Sequence, residues 1–373
     1  MALNLLHVVD RFDERYANND QIQTVLALAR RNHVLKVLTS RFGENYEEIP
    51  RPTGSYSGVA VYRMPGFQFR SPFSNFRLAI FALPKMSYKS LDAVQLYNFF
   101  TYSYFLAPIL SRFSTKAIIV LRTEVDSPIN WYRLTSSPFR TISEAYSKYI
   151  DAFTAFTPVG VSRLLSLGFD RRKVFQVPPL IDRRPFLDLV GRKKGSHFTV
   201  GFIGSIARVK GLDLVLNSLV KFLKAHSEAM LLFAGTVEDR EYADGLFRVL
   251  GTQKNFRFLG PVFPPFGFYE QVDVVIMPSR HEAGPTVPLE TMSSGRVLIV
   301  SNVYPLNSWV QHGVNGLVAG NEDEFYRCLE QSMNEWKTLS SEAVKSSVRF
   351  DSERVARHLE SIYSRSNSPP ISA

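Results

Sequence analysis

The sequence predicts an α/β protein built from two doubly wound domains, and three observations support this prediction. An apolar stretch, a helical stretch and a second apolar stretch follow one another within the first 40 residues. The same succession begins again at residue 198, after a polar, glycine-flanked hinge at residues 191–196. A chain of 373 residues is also long enough for two domains of ordinary size.

The N-terminal elements form a βαβ unit. Residues 5–9 are a short apolar run, which is typical of a buried parallel strand. Residues 22–31 have helical periodicity with Asn19 or Asp20 as the expected N-cap, and residues 34–39 form the next strand. Because strand, helix and strand in this order build a parallel sheet, the chain begins as a doubly wound domain.

The second half repeats this order. A strand is predicted at residues 198–204, followed by a helix from Leu212 to about Lys224. Further apolar strands are predicted at residues 230–235 and 273–278. The second half is therefore expected to be another domain of the same class.

Composition excludes several classes of protein. Hydrophobic residues make up 45% and charged residues 21%, so the chain is neither wholly disordered nor of low complexity. The single cysteine, Cys328, excludes a disulfide scaffold and a cysteine-based zinc cluster. No stretch approaches the roughly 18 apolar residues of a membrane span, and the N-terminus lacks signal-peptide features. A soluble, cytoplasmic protein is the expectation.

The charge balance favours anionic partners. The 44 Lys and Arg residues exceed the 34 Asp and Glu residues, giving a net charge of +10. Such a field attracts nucleic acid, anionic lipid or phosphate-bearing small molecules. Residues 66–113 are unusual, because 13 of the 48 are aromatic and five are basic against one acidic. This composition suits a membrane interface or a lipid-bearing acceptor, although aromatic rings packed in a core would produce it as well.

Residues 277–295 carry the clearest functional pattern. A strand runs into a loop that turns at Gly284-Pro285, and a helix is predicted to begin near Val287-Pro288. The free N–H groups at such a helix start bind anions. Glu282 lies in the loop and Glu290 about one turn inside the helix, and carboxylates accept hydrogen bonds from paired hydroxyls. The setting predicts a phosphorylated sugar as the ligand.

This segment resembles the signature of family 4 glycosyltransferases, in which two glutamates are separated by seven residues. Residues 204–211 are similar to the first loop of that family's donor domain, and residues 177–182 to its domain crossover. The resemblance implies the GT-B fold, in which two Rossmann-like domains face each other across a cleft. It divides the chain into an N-terminal acceptor domain at 1–184 with a returning helix at 350–364, a C-terminal donor domain at 185–349 and a disordered tail at 365–373.

The resemblance also implies roles for individual residues. Glu282 would contact the transferred sugar, Glu290 the nucleotide ribose, and Lys210 the diphosphate. Arg208 is a further candidate catalytic residue in the loop of Lys210. The other donor-binding residues would be Gly204, Ser205, Gly284, Pro285, Thr286, Val287 and Val262.

The chain departs from the family pattern in the donor half. The family usually has an arginine where this chain has Ser205. Either Arg208 or Arg280 is expected to replace that positive charge, and an ordinary surface position for each is the alternative.

The acceptor half departs further. The loop at Asn18–Asp20 lacks the usual glycine pair, and the strand at residues 118–124 lacks the usual histidine. Because strand ends line the ligand cleft of such folds, Arg122 and Glu124 are candidate acceptor-side residues. An ordinary salt bridge is the competing interpretation.

The expected activity is transfer of a hexosyl-type sugar from a nucleotide-diphosphate sugar of the UDP or GDP type. The acceptor would be a hydroxyl of a glycan or lipid-linked glycan, and the reaction would proceed with retention, without metal or cofactor. No Asp-x-Asp pair occurs, and the histidines lack zinc-like spacing. Two alternatives stay open, a GT-B nucleotide-sugar epimerase and a non-catalytic basic protein. The second would bind anionic membrane at the cytoplasmic face or, less expectedly, nucleic acid.

Overall fold

The structure, a computed structural model, divides the chain into two compact units. The N-terminal unit comprises Met1–Leu180 and Ser352–Ala373, and the C-terminal unit comprises Ile181–Asp351. The predicted tail at 365–373, Asn18 and most of the hinge at 191–196 lie outside the residues described. The described residues are 2–10, 12–13, 19–42, 53–70, 77–81, 83–114, 116–191, 196–282 and 284–364.

The boundary between the units falls slightly before the one expected at residue 184. The amide of Ile181 donates to the carbonyl of Phe350, and Ile181 forms an isolated parallel bridge with Asp351. These backbone contacts attach the crossover segment to the C-terminal unit.

The N-terminal unit is built on a mostly parallel sheet. Its described strands are β1 (Asn4–Val8), β2 (Val34–Ser40), β3 (Thr53–Tyr56), β4 (Val59–Met64), β5 (Gly66–Arg70), β6 (Arg77–Phe81), β7 (Ala93–Tyr97), β8 (Ile118–Arg122), β9 (Ala152–Ala155) and β10 (Val174–Gln176). The sheet order is β10-β9-β8-β7-β1-β2-β4-β3, with only β3 antiparallel to its neighbour, and β5 pairs with β6 separately. Strands β7 and β9 are buried throughout, as a parallel sheet covered on both faces requires.

Helices connect these strands. They are α1 (Asp20–Arg30), α2 (Tyr102–Phe105), α3 (Ala107–Phe113), α4 (Pro128–Thr135), α5 (Phe139–Ser147) and α6 (Pro158–Ser166). The side chain of Asn19 accepts a hydrogen bond from the amide of Gln21 over 2.8 Å, so Asn19 is the N-cap of α1. The predicted βαβ unit is therefore confirmed, with element ends shifted by one or two residues.

Many aromatic residues of segment 66–113 belong to the core of the N-terminal unit. The ring of Tyr104 is fully buried and lies 5.5 Å from that of Phe99. Phe99 in turn stacks on Phe153 at 6.2 Å. The core interpretation is correct for these rings, whereas Phe105 and Phe113 are exposed.

The C-terminal unit contains a second parallel sheet. Its strands are β11 (Thr199–Ile203), β12 (Met230–Ala234), β13 (Phe256–Phe258), β14 (Val274–Met277), β15 (Val297–Ser301) and β16 (Leu317–Ala319). They lie in the order β13-β12-β11-β14-β15-β16. The sheet confirms a second doubly wound domain.

The helices of the C-terminal unit are α7 (Arg184–Leu187), α8 (Leu216–Ala225), α9 (Arg240–Leu250), α10 (Phe266–Tyr269), α11 (Val287–Ser293), α12 (Leu306–Trp309) and α13 (Glu322–Ser347). The helix predicted from Leu212 begins instead as a 3₁₀ turn over Leu212–Val215, and α8 starts at Leu216. Such tighter turns are frequent at helix starts, because hydrogen bonds to the third residue form there first.

The last helix, α14 (Ser352–Tyr363), returns to the N-terminal unit. It packs on α1, where Arg31 forms ion pairs with Glu353 and Glu360. Among the helices of the described chain, none is both long and apolar enough to cross a membrane.

Candidate functional site

In the C-terminal sheet, the order of the strands reverses between β11 and β14. These strands are parallel neighbours, although β12 and β13 separate them in the sequence. Loops that leave the carboxyl ends of two such strands usually border the ligand crevice of a doubly wound sheet. Gly204 follows β11 with φ 153°, and a β-carbon added to Gly235 would lie 1.8 Å from the Gly204 carbonyl oxygen. The backbone is therefore packed so closely here that only glycine fits at position 235.

The loop after β11 makes a tight turn that carries Lys210. Residues 208–210 form one 3₁₀ turn, which ends at Gly211 with φ 68°. A β-carbon on Gly211 would lie 2.0 Å from the carbonyl oxygen of Pro278, the residue that follows β14. The amide of Arg280 also donates to the Val209 carbonyl over 2.8 Å. The loop after β11 thus lies directly against the loop after β14.

This packing brings Lys210 and Glu282 into contact. Lys210 Nζ lies 2.7 Å from Glu282 Oε1, and Ser279 Oγ donates to the same oxygen over 2.7 Å. The Glu282 side chain is 8% exposed and that of Lys210 is 23% exposed, so the cation is the more accessible partner. Two of the predicted catalytic residues therefore form one ion pair, oriented by a hydroxyl that the sequence analysis did not assign.

Glu290 lies in a buried setting on α11. This helix begins at Val287 with Pro288 in its first turn, as predicted, and Glu290 is 3% exposed. Tyr269 OH donates to Glu290 Oε2 over 2.8 Å. Burial, followed by the nearby Glu290 carboxylate, raises the pKa of Tyr269 well above its usual range. The phenol therefore keeps its proton and stays a donor to Glu290.

Arg280 is engaged by a carboxylate rather than left available for a ligand. Its guanidinium forms two hydrogen bonds to Asp213, of 2.8 and 2.7 Å, and a third to the Arg208 carbonyl over 2.6 Å. Its hydrogen bond to Asp213 raises the pKa of Arg280 and lowers that of Asp213 to about 2. The structure therefore favours a bracing role for Arg280 over the replacement of a missing charge.

Arg208 points to the surface of the same turn. Its side chain is 62% exposed, pairs with Asp239 over 3.1 Å and lies over the ring of Tyr242 at 5.6 Å. An exposed ion pair of this kind is held weakly. Arg208 can therefore turn toward an anionic ligand at little cost, and its predicted catalytic role remains a prediction.

The other predicted donor-binding residues lie on the same loops or beside them. Val262 packs against the apolar cluster that contains Tyr269 and Leu289. Ala283 lies outside the described residues. Gly204 and Ser205 follow β11, Gly284, Pro285 and Thr286 precede α11, and Val287 is the first residue of α11.

In the N-terminal unit, Arg122 forms an internal ion pair. Its side chain is 2% exposed and makes hydrogen bonds of 2.7 and 2.9 Å to Asp20, the first residue of α1. It also donates to the Pro178 carbonyl over 3.0 Å. The structure thus favours the salt-bridge interpretation, in which Arg122 joins β8 to α1 and to the crossover segment.

Glu124 follows β8 and remains a candidate acceptor-side residue. Loss of solvent around its carboxyl raises the pKa of Glu124, although a hydrogen bond from the Asn98 side chain opposes this. Asn98 adopts a left-handed backbone conformation with φ 62° at the end of β7. Such conformations often occur where a strand end carries a functional side chain.

Among the described residues, no three His, Cys, Asp or Glu side chains are grouped so that they could hold a metal ion.

Comparison with known proteins identifies a matching family model and several relatives. Residues 187–343 match the family model described as "Glycosyl transferases group 1". The chain is 31% identical over 139 residues to an uncharacterized glycosyltransferase of Methanocaldococcus jannaschii, covering 36% of this chain and 35% of that protein. It is 28% identical over 183 residues to D-inositol 3-phosphate glycosyltransferase of Corynebacterium kroppenstedtii, covering 45% and 40%. The chain spans about two fifths or less of these two relatives.

Solved structures resemble the whole chain. The Anabaena protein HepE, crystallised with UDP and glucose, has a TM-score of 0.71 at 14% identity and covers 97% of this chain and 99% of its own. A glycosyltransferase from Rickettsia africae has a TM-score of 0.75 at 13% identity and covers 98% and 100%. These likenesses confirm the predicted GT-B fold with its two Rossmann-like domains.

Proposed function

We propose that this chain, whose residues 187–343 match the family model of the group 1 glycosyl transferases, transfers a sugar from a nucleotide-diphosphate sugar to an acceptor hydroxyl. The observation that carries the proposal is the contact of Lys210 with Glu282 at the sheet edge between β11 and β14. A cation and a carboxylate side by side match a donor whose diphosphate is bonded directly to a sugar carrying hydroxyls.

The donor is held by three groups in this proposal. Lys210 binds the diphosphate together with the backbone amides of residues 284–287, which precede and begin α11. Glu282 accepts hydrogen bonds from the transferred sugar, and Glu290 from the ribose. The HepE structure contains UDP and glucose, which supports a UDP-type donor and a hexosyl group, with GDP as the other candidate.

Catalysis is electrostatic in this proposal. As the sugar–phosphate bond breaks, negative charge develops on the leaving diphosphate, and Lys210 stabilises that charge with Arg208 as its accessory cation. The acceptor hydroxyl attacks from the face that the diphosphate leaves and gives its proton to the leaving phosphate, so configuration is retained. No protein nucleophile and no metal take part.

The acceptor is assigned to the N-terminal unit, with Glu124 as the hydroxyl-binding candidate. Glu124 lies two residues after the C-terminal end of β8, and ligands of parallel sheets bind at such strand ends. A hydroxyl of a glycan or lipid-linked glycan fits such an acceptor. Arg122 does not bind the acceptor in this proposal, because its side chain forms an ion pair with Asp20.

A second proposal concerns peripheral attachment to an anionic membrane. Phe105, Ile109 and Phe113 follow one another at four-residue intervals along α2 and α3, and they are 37%, 43% and 51% exposed. Two exposed cations, Arg112 and Lys116, lie on α3 or just after it, and two more, Lys85 and Lys89, lie in the segment before β7. That segment is beside α3, since the ring of Tyr88 lies 6.1 Å from that of Phe113. An apolar row flanked by cations suits the headgroup region of an anionic bilayer.

Co-sedimentation with vesicles tests the membrane proposal. Vesicles containing phosphatidylglycerol are expected to bind the wild type, and substitution of the four cations by Gln should weaken binding. The control variant Tyr132→Ser alters a side chain that is 73% exposed but lies on α4, and it should bind as wild type. Absence of wild-type binding would end the proposal.

Thermal melting with a panel of nucleotide sugars tests the transferase proposal. A matching donor binds only the folded protein and should raise the melting temperature in proportion to the logarithm of its concentration. The stabilising donor is then incubated with candidate glycan acceptors. Conversion of the donor without any acceptor would indicate an epimerase, and stabilisation by no donor would refute the proposal.

A further inference from the structure

The Glu290 carboxylate is fixed by a phenol that lies outside the glutamate signature. Tyr269 ends α10, 21 residues before Glu290, and its hydroxyl donates to Glu290 Oε2 over 2.8 Å. Both side chains are buried, with exposures of 0% for Tyr269 and 3% for Glu290.

The Tyr269 ring has little freedom to move. The centroid of the Phe186 ring lies 5.7 Å from that of Tyr269, and the two rings meet edge-on. The centroid of the Phe268 ring lies 5.5 Å from that of Tyr269, at an interplanar angle of 82°. The Phe266 ring in turn contacts that of Phe186, with 5.1 Å between their centroids. Close-packed rings in a core keep one rotamer, so the hydroxyl occupies a fixed position.

The ionisation of Tyr269 suits a permanent donor. Burial raises its pKa well above the usual range, so the phenol remains protonated throughout the physiological pH range. A carboxylate that accepts a hydrogen bond from a fixed donor is restricted in its own rotamers. Such restriction is what a carboxylate needs if it is to accept hydrogen bonds from two neighbouring hydroxyls at once.

We infer that Tyr269 is a positioning residue that orients Glu290 toward the ribose diol and so makes the site select ribonucleoside diphosphates over their deoxy counterparts. The inference rests on the proposed function, because it takes the ribose as the ligand of Glu290. Selection arises because the ribose hydroxyls can form hydrogen bonds with the buried carboxylate that a ligand without these hydroxyls cannot form.

The substitution Tyr269→Phe tests the inference. It keeps the ring between its aromatic neighbours and removes only the hydroxyl. Tyr363→Phe is the matched control, since Tyr363 is also buried and its OH donates to Gln95 over 2.7 Å in the N-terminal unit. Calorimetry measures the dissociation constants of UDP, GDP and their 2′,3′-dideoxy forms for each variant, and thermal melting checks that each variant is folded.

The ratio of dideoxy to ribo dissociation constants is the decisive quantity. The wild type and Tyr363→Phe should prefer the ribonucleotide by about tenfold or more, a difference of ~1.4 kcal/mol. Tyr269→Phe should bring the ratio close to one, as should Glu290→Ala. A purely structural role of Tyr269 would lower the melting temperature and leave the ratio unchanged.

The outcomes separate the two proposals. If Glu290→Ala removes the preference while folded Tyr269→Phe keeps it, the role of Tyr269 is refuted and the ribose role of Glu290 stands. If the wild type shows no preference, or Glu290→Ala retains it, the ribose assignment fails and the role of Tyr269 fails with it. Should Tyr269→Phe not fold, replacement of Tyr269 by 4-aminophenylalanine, which retains the ring and a hydrogen-bond donor at the para position, must keep at least part of the preference or the inference is overturned.

Discussion

Lys210 and Glu282 are 72 positions apart in the sequence, yet Nζ of the lysine lies 2.7 Å from Oε1 of the glutamate. The contact exists because β11 and β14 are adjacent in the sheet and their following loops pack together at Gly211. A cation and a carboxylate that neutralise each other in this contact can exchange partners when a diphosphate and a sugar bind.

Removal of the Lys210 cation should slow the reaction. Lys210→Ala is expected to lower kcat at least tenfold, or ~1.4 kcal/mol of barrier, because the leaving diphosphate loses its charge partner. Steady-state kinetics with the stabilising donor measure this. Lys345→Ala is the control, since Lys345 pairs with Glu342 over 2.6 Å on the exposed surface of α13. Wild-type turnover by Lys210→Ala would mean that the diphosphate is held elsewhere.

Removal of the Arg280 brace should weaken donor binding with little loss of stability. Arg280→Ala breaks the paired hydrogen bonds to Asp213 and the bond to the Arg208 carbonyl, so the turn carrying Lys210 is less fixed. Because this ion pair is about 40% exposed, the free energy of unfolding should change by about 1 kcal/mol or less. Calorimetry should show a several-fold rise in the donor dissociation constant. The donor dissociation constant of Arg280→Lys should lie between those of the wild type and Arg280→Ala, because lysine keeps the positive charge but cannot form the paired hydrogen bonds to Asp213.

A matched exposed pair controls for the loss of charge in that experiment. Arg172 pairs with Asp170 over 2.8 Å on the surface of the N-terminal unit. Arg172→Ala removes one positive charge as Arg280→Ala does and should leave donor affinity unchanged. Equal effects of the two variants would show that net charge, rather than the brace, governs binding.

Breaking the ion pair of Arg122 should destabilise the N-terminal unit. Arg122→Ala leaves Asp20, which is 13% exposed, without its main partner. Loss of one member of a buried pair typically costs about 3–5 kcal/mol. Urea titration measures the free energy of unfolding, with the exposed Arg140–Glu144 pair as the control, where Arg140→Ala should cost well under 1 kcal/mol. A stable Arg122→Ala protein with a raised acceptor KM would instead restore Arg122 to the acceptor site.

His7 should make the N-terminal unit sensitive to acid. Burial, and then the positive charge of Arg122, lowers the pKa of His7 from its usual 6.5 to about 3. Between these values the unfolded chain binds a proton that the folded chain does not, so stability rises with pH and is lost as pH falls from 6.5 toward 3. The loss approaches ~1.4 kcal/mol per pH unit.

The substitution His7→Asn tests this origin of the acid sensitivity. An amide at this position can still meet Tyr97 OH, which lies 2.8 Å from His7 Nδ1. Urea titrations give the free energy of unfolding at about pH 7 and at about pH 5. The decrease in this free energy between the two pH values should be larger for the wild type than for His7→Asn, by up to about 2 kcal/mol. An identical pH dependence in the two proteins would assign the sensitivity to other groups.

The fold could be predicted from the sequence to the extent that local pattern decides it. The buried strand at residues 4–8 and the helix capped by Asn19 follow from apolar runs and capping preference. The neighbours of Glu282 and Glu290 could not be predicted in this way. Tyr269 lies in a run of aromatic residues whose pattern indicates only burial, and its contact with Glu290 depends on how α10 packs against α11.

The partners of Arg280 and Arg122 could not be predicted from local sequence pattern either. Arg280 meets Asp213 because two loops separated by 67 positions pack together, and Arg122 meets Asp20 across 102 positions. Sequence reasoning could name both arginines as candidates and could name the salt bridge as an alternative for Arg122. The choice between those roles depended on tertiary distances.

The decisive experiment is a structure of the protein with a bound nucleotide-diphosphate sugar. The diphosphate should lie within hydrogen-bonding distance of Lys210 Nζ and of the amides near the start of α11. The sugar hydroxyls should contact Glu282, and the ribose hydroxyls should contact Glu290. A donor bound away from these three side chains would refute the proposed donor site.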